Sequence, residues 1–170
     1  MTGHNSIKMT DLSLLYHTLG FMENKTYIQS GNVIFKTDHG ISEGEISNKI
    51  EKAIKEKYGY NVPVMIRTID EVKSLFSTNP YLGIQNFDPS KMAVVFLHEI
   101  ITAPQMENMR NISYPPDKYQ ITGREIFIFC PNGFGRTKLY TNFFENKMGV
   151  TGTSRNWKTV TTILSLAEIF

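Results

Sequence analysis

Apolar spacing in this chain switches between helical and strand periods, and the switches recur in the same order in both halves. In the first half, Leu12, Leu15, Tyr16 and Leu19 follow i, i+3, i+4, i+7 spacing, with Thr10 placed to cap a helix and Gly20 to stop it. TYIQ and NVIFKT then flank Ser30-Gly31 as a hairpin. Ser42 and Glu45 form a capping-box pair ahead of the stripe Ile46, Ile50, Ala53 and Ile54, which Gly59 ends. VPVMIRTI reads as a strand with Pro63 near its start, and Asp70 as the cap of a short helix carrying Val72, Leu75 and Phe76. In the second half, MAVVFLHE is an apolar strand, and a Thr102–Gln105 capping box leads into Met106, Met109 and Ile112. DKYQIT and EIFIFC follow as a hairpin about Gly123-Arg124. Leu139, Phe143 and Met148 mark a further helix, and Trp157, Val160, Leu164 and Ala167 the last.

The second half therefore reads strand, helix, strand, strand, helix; the first is the same cycle without its opening strand. The nearest arrangement is the ferredoxin-like βαββαβ unit. The expected fold is α+β: two ferredoxin-like (βαββαβ-type) halves, the first lacking its opening strand. Pro80, Gly83, Asn86, Asp88 and Pro89 break both periods. The expected division is residues 1–80 for the first half, 81–91 for a linker, and 92–170 for the second half with its C-terminal helix. Loss of the opening strand would strip backbone partners from both its neighbours. Either the pairings differ, or another chain fills the slot, or the true start lies upstream of Met1.

Composition narrows the function classes. A hydrophobic fraction of 41% supports a core, and charged residues at 20% argue against disorder. The net charge of +2 neither requires nor excludes a polyanion. One cysteine, Cys130, in an apolar run, excludes an internal disulfide framework and reads as a buried thiol. His4, His17, His39 and His98 show no ligand spacing, so no metal is expected. No signal segment or membrane-length apolar run is present, and the expected location is cytoplasmic.

Four polar stretches exceed what folding needs. In MTGHNSIKM, Lys8 precedes the first helix and reads either as a loop cation or as part of an anion site. In YIQSGNV, Gly31 and Asn32 suit a turn, while Gln29 and Ser30 are less required by it. PNGFGRTKLY sets Gly133 and Gly135 before Arg136 and Lys138, which suits a phosphate or carboxylate, or else a glycine-rich connection with solvated cations. It is neither a Walker loop nor the dinucleotide fingerprint. In TSRNWKTV, Trp157 fits the core stripe, and Arg155 and Asn156 either face a ligand or cap the last helix.

TYIQSGNVIF, the GHNSIKM opening, GRTKL and the closing TSRNWKTV together resemble the domain-of-unknown-function 1697 family of bacterial proteins, over nearly the whole chain. In that family a strand and an Arg-Gly-Ile-Asn-Val-Gly-Gly-like turn precede the position matched by His4-Asn5. Here Met1-Thr2-Gly3 stands there, without the strand or the arginine, so no role of that arginine transfers. The resemblance implies a product begun late, and it implies no particular reaction. It does raise the expectation that Gln29, Ser30 and Asn32 line a site.

The leading functional expectation is a binding module for a small anionic or phosphate-bearing ligand, either a nucleotide or nucleic acid. Arg136, Lys138 and Arg155 would hold the charge, with Lys8, Gln29, Ser30, Asn32 and Asn156 adding polar contacts. Two alternatives stay open: an enzyme of unassigned reaction using the same cleft, and a structural or oligomerisation domain. No cofactor and no membrane partner is expected, and a homo-oligomer follows if the missing strand is supplied in trans.

Overall fold

A computed structural model describes residues 6–28, 30–38 and 40–170. The chain divides into two compact units, Met1–Arg67 with Ser165–Phe170, and Thr68–Leu164. The fold is α+β with two antiparallel sheets, one of two strands and one of four. No helix among the described residues is long and apolar enough to cross a membrane.

The first unit runs α1 (Met9–Thr18), β1 (Asn24–Tyr27), β2 (Asn32–Phe35) and α2 (Glu43–Tyr58). Its core gathers Ile7, Leu12, Leu15, Tyr16, Phe21, Ile46, Ile50 and Ile54. Tyr16, Phe21 and Phe35 meet ring to ring, with centroids 4.8–5.9 Å apart. Ser42 and Glu45 close the expected capping box on α2, and Gly59 ends that helix in the left-handed region at φ 76°. Thr10 is not a cap. Helix α1 begins at Met9, and its N-cap, Lys8, makes no side-chain capping bond.

The strand expected in VPVMIRTI joins no ladder among the described residues. Val62, Val64 and Ile66 still pack alternately against the core, and the Val64 amide donates to the Glu51 carboxylate at 2.8 Å. The buried Tyr58 hydroxyl has no hydrogen-bond partner. The second unit explains the missing ladder, because there the closing strand pairs with the opening one. Among the described residues of the first unit, no opening strand is present for 62–66 to pair with.

The second unit opens with α3 (Ile69–Thr78), capped by Thr68 and Glu71 rather than by Asp70. It continues with β3 (Met92–Leu97), α4 (Ala103–Glu107), β4 (Lys118–Thr122), β5 (Glu125–Phe129), α5 (Thr141–Met148) and β6 (Gly152–Asn156), and then enters α6 (Trp157–Glu168). This is the complete βαββαβ cycle, in the spatial order β4-β5-β3-β6. β6 adds a strand that the expected strand, helix, strand, strand, helix order lacked, in residues expected to precede or cap the last helix. It is polar and lacks strand alternation, yet it fills the open edge of β3 from Leu97↔Gly152 to Ala93↔Asn156. Paired on both sides, all six residues of β3 are buried.

Side-chain alternation separates the two faces of this sheet. Val95, Leu97, Ile126 and Ile128 join Met109, Leu139, Phe144 and Met148 in one core. On the opposite face, Tyr81 stacks on Phe129 and the Asn79 amide approaches the Met92 sulfur at 3.0 Å. Arg124 reaches Glu71 of α3 at 2.6 Å. Helix α4 bears the expected Thr102–Gln105 box, and the Gln105 amide donates to Met148 O at 3.0 Å, tying α4 to α5.

Candidate functional site

Strand register defines one end of the four-stranded sheet. Met92 pairs with Phe129, Ala93 with Asn156, and the Cys130 amide donates to Lys91 O at 2.8 Å. The start of β3 and the ends of β5 and β6 therefore share this end. The loop after β5 is anchored to it in two places. The Gly133 amide donates to Cys130 O, and the Cys130 sulfur lies 3.4 Å from Thr137 Oγ1. Gly133 turns at φ 84°, and a Cβ built on it would meet the Lys91 ammonium at 3.6 Å. Glycine here allows the positive φ of the turn, while a Cβ would make only an ordinary contact with the lysine head.

Phe134–Arg136 form a single 3-10 turn. Arg136 is exposed. Lys138 is also exposed, and its ammonium sits 5.1 Å from the centre of the Tyr114 ring, a cation–π distance. The Tyr140 hydroxyl donates to Phe134 O at 3.1 Å, while Tyr140 as a whole stays 52% exposed. Two acids lie nearby, both locally engaged. Asp88 accepts the Ser90 amide, and Asp117 borders the Cys130 thiol. Lys91, Arg136 and Lys138 thus share one sheet end with two aromatic rings. Spacing in the sequence did not single out Lys91, Tyr114 or Tyr140, because long-range pairing brings the first two to the loop.

Arg155 and Asn156 reach the same end of the sheet in different roles. The Arg155 guanidinium turns back along β6, donating to Thr153 Oγ1 and Ser154 O at 2.7 Å each. Its desolvation lowers its pKa. Asn156 Oδ1 accepts the Thr159 amide at 2.8 Å, capping α6. In the first unit, Lys8 is exposed at the start of α1. Asn32 Nδ2 donates to Tyr27 O at 3.0 Å and to Ser30 Oγ at 2.9 Å, bracing the hairpin turn. Within that turn Ile28 has φ 51°, a conformation that a β-branched residue rarely adopts. Gln29 lies outside the described residues, as do Gly3, His4, Asn5 and His39. No group of three or more His, Cys, Asp or Glu among the described residues is placed to hold a metal ion.

Cys130 is fully buried. Burial pushes its thiol pKa up, the Thr137 hydrogen bond pulls it slightly back, and Asp117 raises it further. The folded thiol is therefore neutral and inert at neutral pH. Labelling by an aromatic disulfide reagent is expected to proceed only at the rate of unfolding; fast stoichiometric labelling of native protein would contradict this burial. The linked stability has a definite sign. It is fully present below the unfolded thiol pKa of about 8.5 and is lost as pH rises through the folded value.

Comparison with curated proteins finds no match. Among solved structures, "The structure of conserved bacterial protein SP0830 from Streptococcus pneumoniae" aligns with a TM-score of 0.77 at 18% identity, covering 98% of this chain and 92% of that one. At that identity the likeness concerns the fold alone. The model of the family DUF1697, "Protein of unknown function", matches residues 1–127, and the chain belongs to that family.

Proposed function

We propose that the second unit is a binding module for a small anionic or phosphate-bearing ligand, engaged at the loop from Cys130 to Tyr140. The observation that carries this reading is the exposed Arg136 on a loop that also presents Lys138 and abuts Lys91. Residues 131–140 contain no acidic side chain. A guanidinium fork matches the oxygens of a phosphate or carboxylate, and two ammonium groups add positive charge at short range. Arg155 and Asn156 act in this reading as supports for β6 and α6 rather than as contacts.

A thermal-shift panel of nucleotides, sugar phosphates and short RNA tests it. A ligand at about 100 times its Kd adds about 2.7 kcal/mol, which for a chain of this size is a Tm rise of roughly 5–10 °C. Arg136→Ala is expected to remove most of that rise. A flat panel, or an equal rise in the variant, would count against the site.

A second reading, self-association through the first unit, is favoured by one observation. Among the described residues, the strand that β2 pairs with is β1, in a sheet of two strands. A two-stranded sheet is marginal, and an open antiparallel edge is self-complementary about a two-fold axis, so a second copy's β2 is the proposed occupant. Sedimentation velocity across a hundredfold concentration range is expected to show a monomer–dimer equilibrium, weakened by Val33→Pro, because the Val33 amide faces away from β1. A single monomeric species throughout would dismiss the pairing.

A further inference from the structure

Resting on the anion reading above, we propose that the ligand of this loop is single-stranded nucleic acid, with one base stacked on Tyr140 and a neighbouring phosphate held by Arg136. Tyr140 is 52% exposed, so its placement is not explained by core packing. Its hydroxyl is committed to Phe134 O at 3.1 Å, which leaves the ring face as what the side chain offers a partner. That bond also holds the ring against the turn Phe134–Arg136 that carries the guanidinium. The ring is therefore fixed to the turn that carries the cation, and little of its own rotamer entropy remains to be lost when a planar group stacks. Lys138 over Tyr114 and Lys91 beside Gly133 extend the same mixture of rings and cations.

The exposure of these groups favours a polymer over a small molecule. Small ligands bind tightly when a cavity takes up most of their surface, whereas single strands are held on open surfaces by repeated stacking and charge. A duplex keeps its base faces stacked on one another and cannot offer one to Tyr140. DNA and RNA share the required chemistry, so both enter the test.

Fluorescence anisotropy is measured on the full chain with labelled single-stranded DNA and RNA ten-mers, an abasic strand of equal length, a duplex, and a mononucleotide. Variants are Arg136→Ala, Tyr140→Leu and Tyr140→Trp, each checked for an unchanged Tm. The base-bearing strands are expected to bind about tenfold or more tighter than the abasic strand, in line with one stacked base. Tyr140→Leu is expected to erase that margin and leave the salt slope unchanged, and Tyr140→Trp to restore the margin. Arg136→Ala is expected to weaken every strand and to lower the salt slope by about 0.7. If Tyr140→Leu does not fold, Tyr140→Phe keeps the ring without its anchor and is expected to lose part of the margin. Equal binding of abasic and base-bearing strands, or a margin that survives Tyr140→Leu, would overturn base recognition and leave the anion reading standing. A mononucleotide or duplex binding as well as the single strand would overturn the choice of polymer. Failure of every strand, together with a flat thermal-shift panel, would remove the underlying reading too.

Discussion

Replacing Phe144 by alanine is expected to destabilise the second unit by about 3–5 kcal/mol, the range for a large buried aromatic lost from a packed core. Phe144 is fully buried. It meets Tyr119 edge to face at 5.5 Å and Phe143 at 5.1 Å. The Tyr119 ring is held by its own hydroxyl, whose single proton is shared between Met109 O and Ile112 O at 3.1 and 2.9 Å, so it cannot follow the truncation inward. The cavity should therefore persist rather than collapse, which puts the cost toward the upper end. At about 2–4 °C per kcal/mol, Tm is expected to fall by roughly 6–20 °C. Urea unfolding followed by tyrosine and tryptophan fluorescence measures it, with half-buried Phe143→Ala as the milder comparison. A loss below about 1 kcal/mol would mean that helix α5 and the sheet do not share this core.

Substitution at Gly152 is the second large effect, and its cause is purely steric. A Cβ there would lie 2.9 Å from Val95 Cγ1, 3.2 Å from Leu97 Cδ2 and 3.3 Å from Phe96 O. Val95 and Leu97 are fully buried and have nowhere to retreat. Gly152→Ala is expected to cost about 1–3 kcal/mol through overpacking, and Gly152→Val more, because a branched side chain drives into the same two neighbours. Because the Gly152 amide also donates to Glu145 Oε1 at 2.9 Å, displacement of β6 would break that link to α5. Gly149 separates this mechanism from backbone strain. It adopts φ 64° with open space around its Cβ position, so Gly149→Ala is expected to cost only about 1–2 kcal/mol, the strain of a left-handed residue. Chemical denaturation of the three variants checks the order; a Gly152→Val protein as stable as the parent would show that β6 is not seated against β3.

The two lessons agree on where local rules reach and where they stop. Ser42 with Glu45, and Thr102 with Gln105, were legible because a capping box is a reciprocal bond between residues three apart. The hairpins were legible for the same reason of proximity. The cap of α3 was misassigned to Asp70, since Thr68 with Glu71 satisfies the same pattern two residues earlier. β6 was missed because Gly152–Asn156 carries no apolar alternation and owes its strand form to the free edge of β3. Conversely, Val62, Val64 and Ile66 alternate as a strand should, but no strand among the described residues pairs with them.

The candidate site divides in the same way. Arg136 and Lys138 stood out on residue type beside glycines, and that local reading still describes their loop. Arg155 and Asn156 stood out equally, yet bonds to Thr153, Ser154 and Thr159 engage both internally. Lys91 reaches the loop only through the β3–β5 ladder, a pairing across almost forty residues of chain that no local spacing encodes.

By itself, then, the order of residues determined the Ser42 and Thr102 capping boxes, the hairpins and the α+β class, all of which depend on contacts within one or two turns of chain. Only the tertiary structure decided which segments became strands, which cations remained exposed, and which rings flank them. Those outcomes depend on backbone groups finding partners far along the chain, and a partner's presence or absence is not written in the segment that needs it.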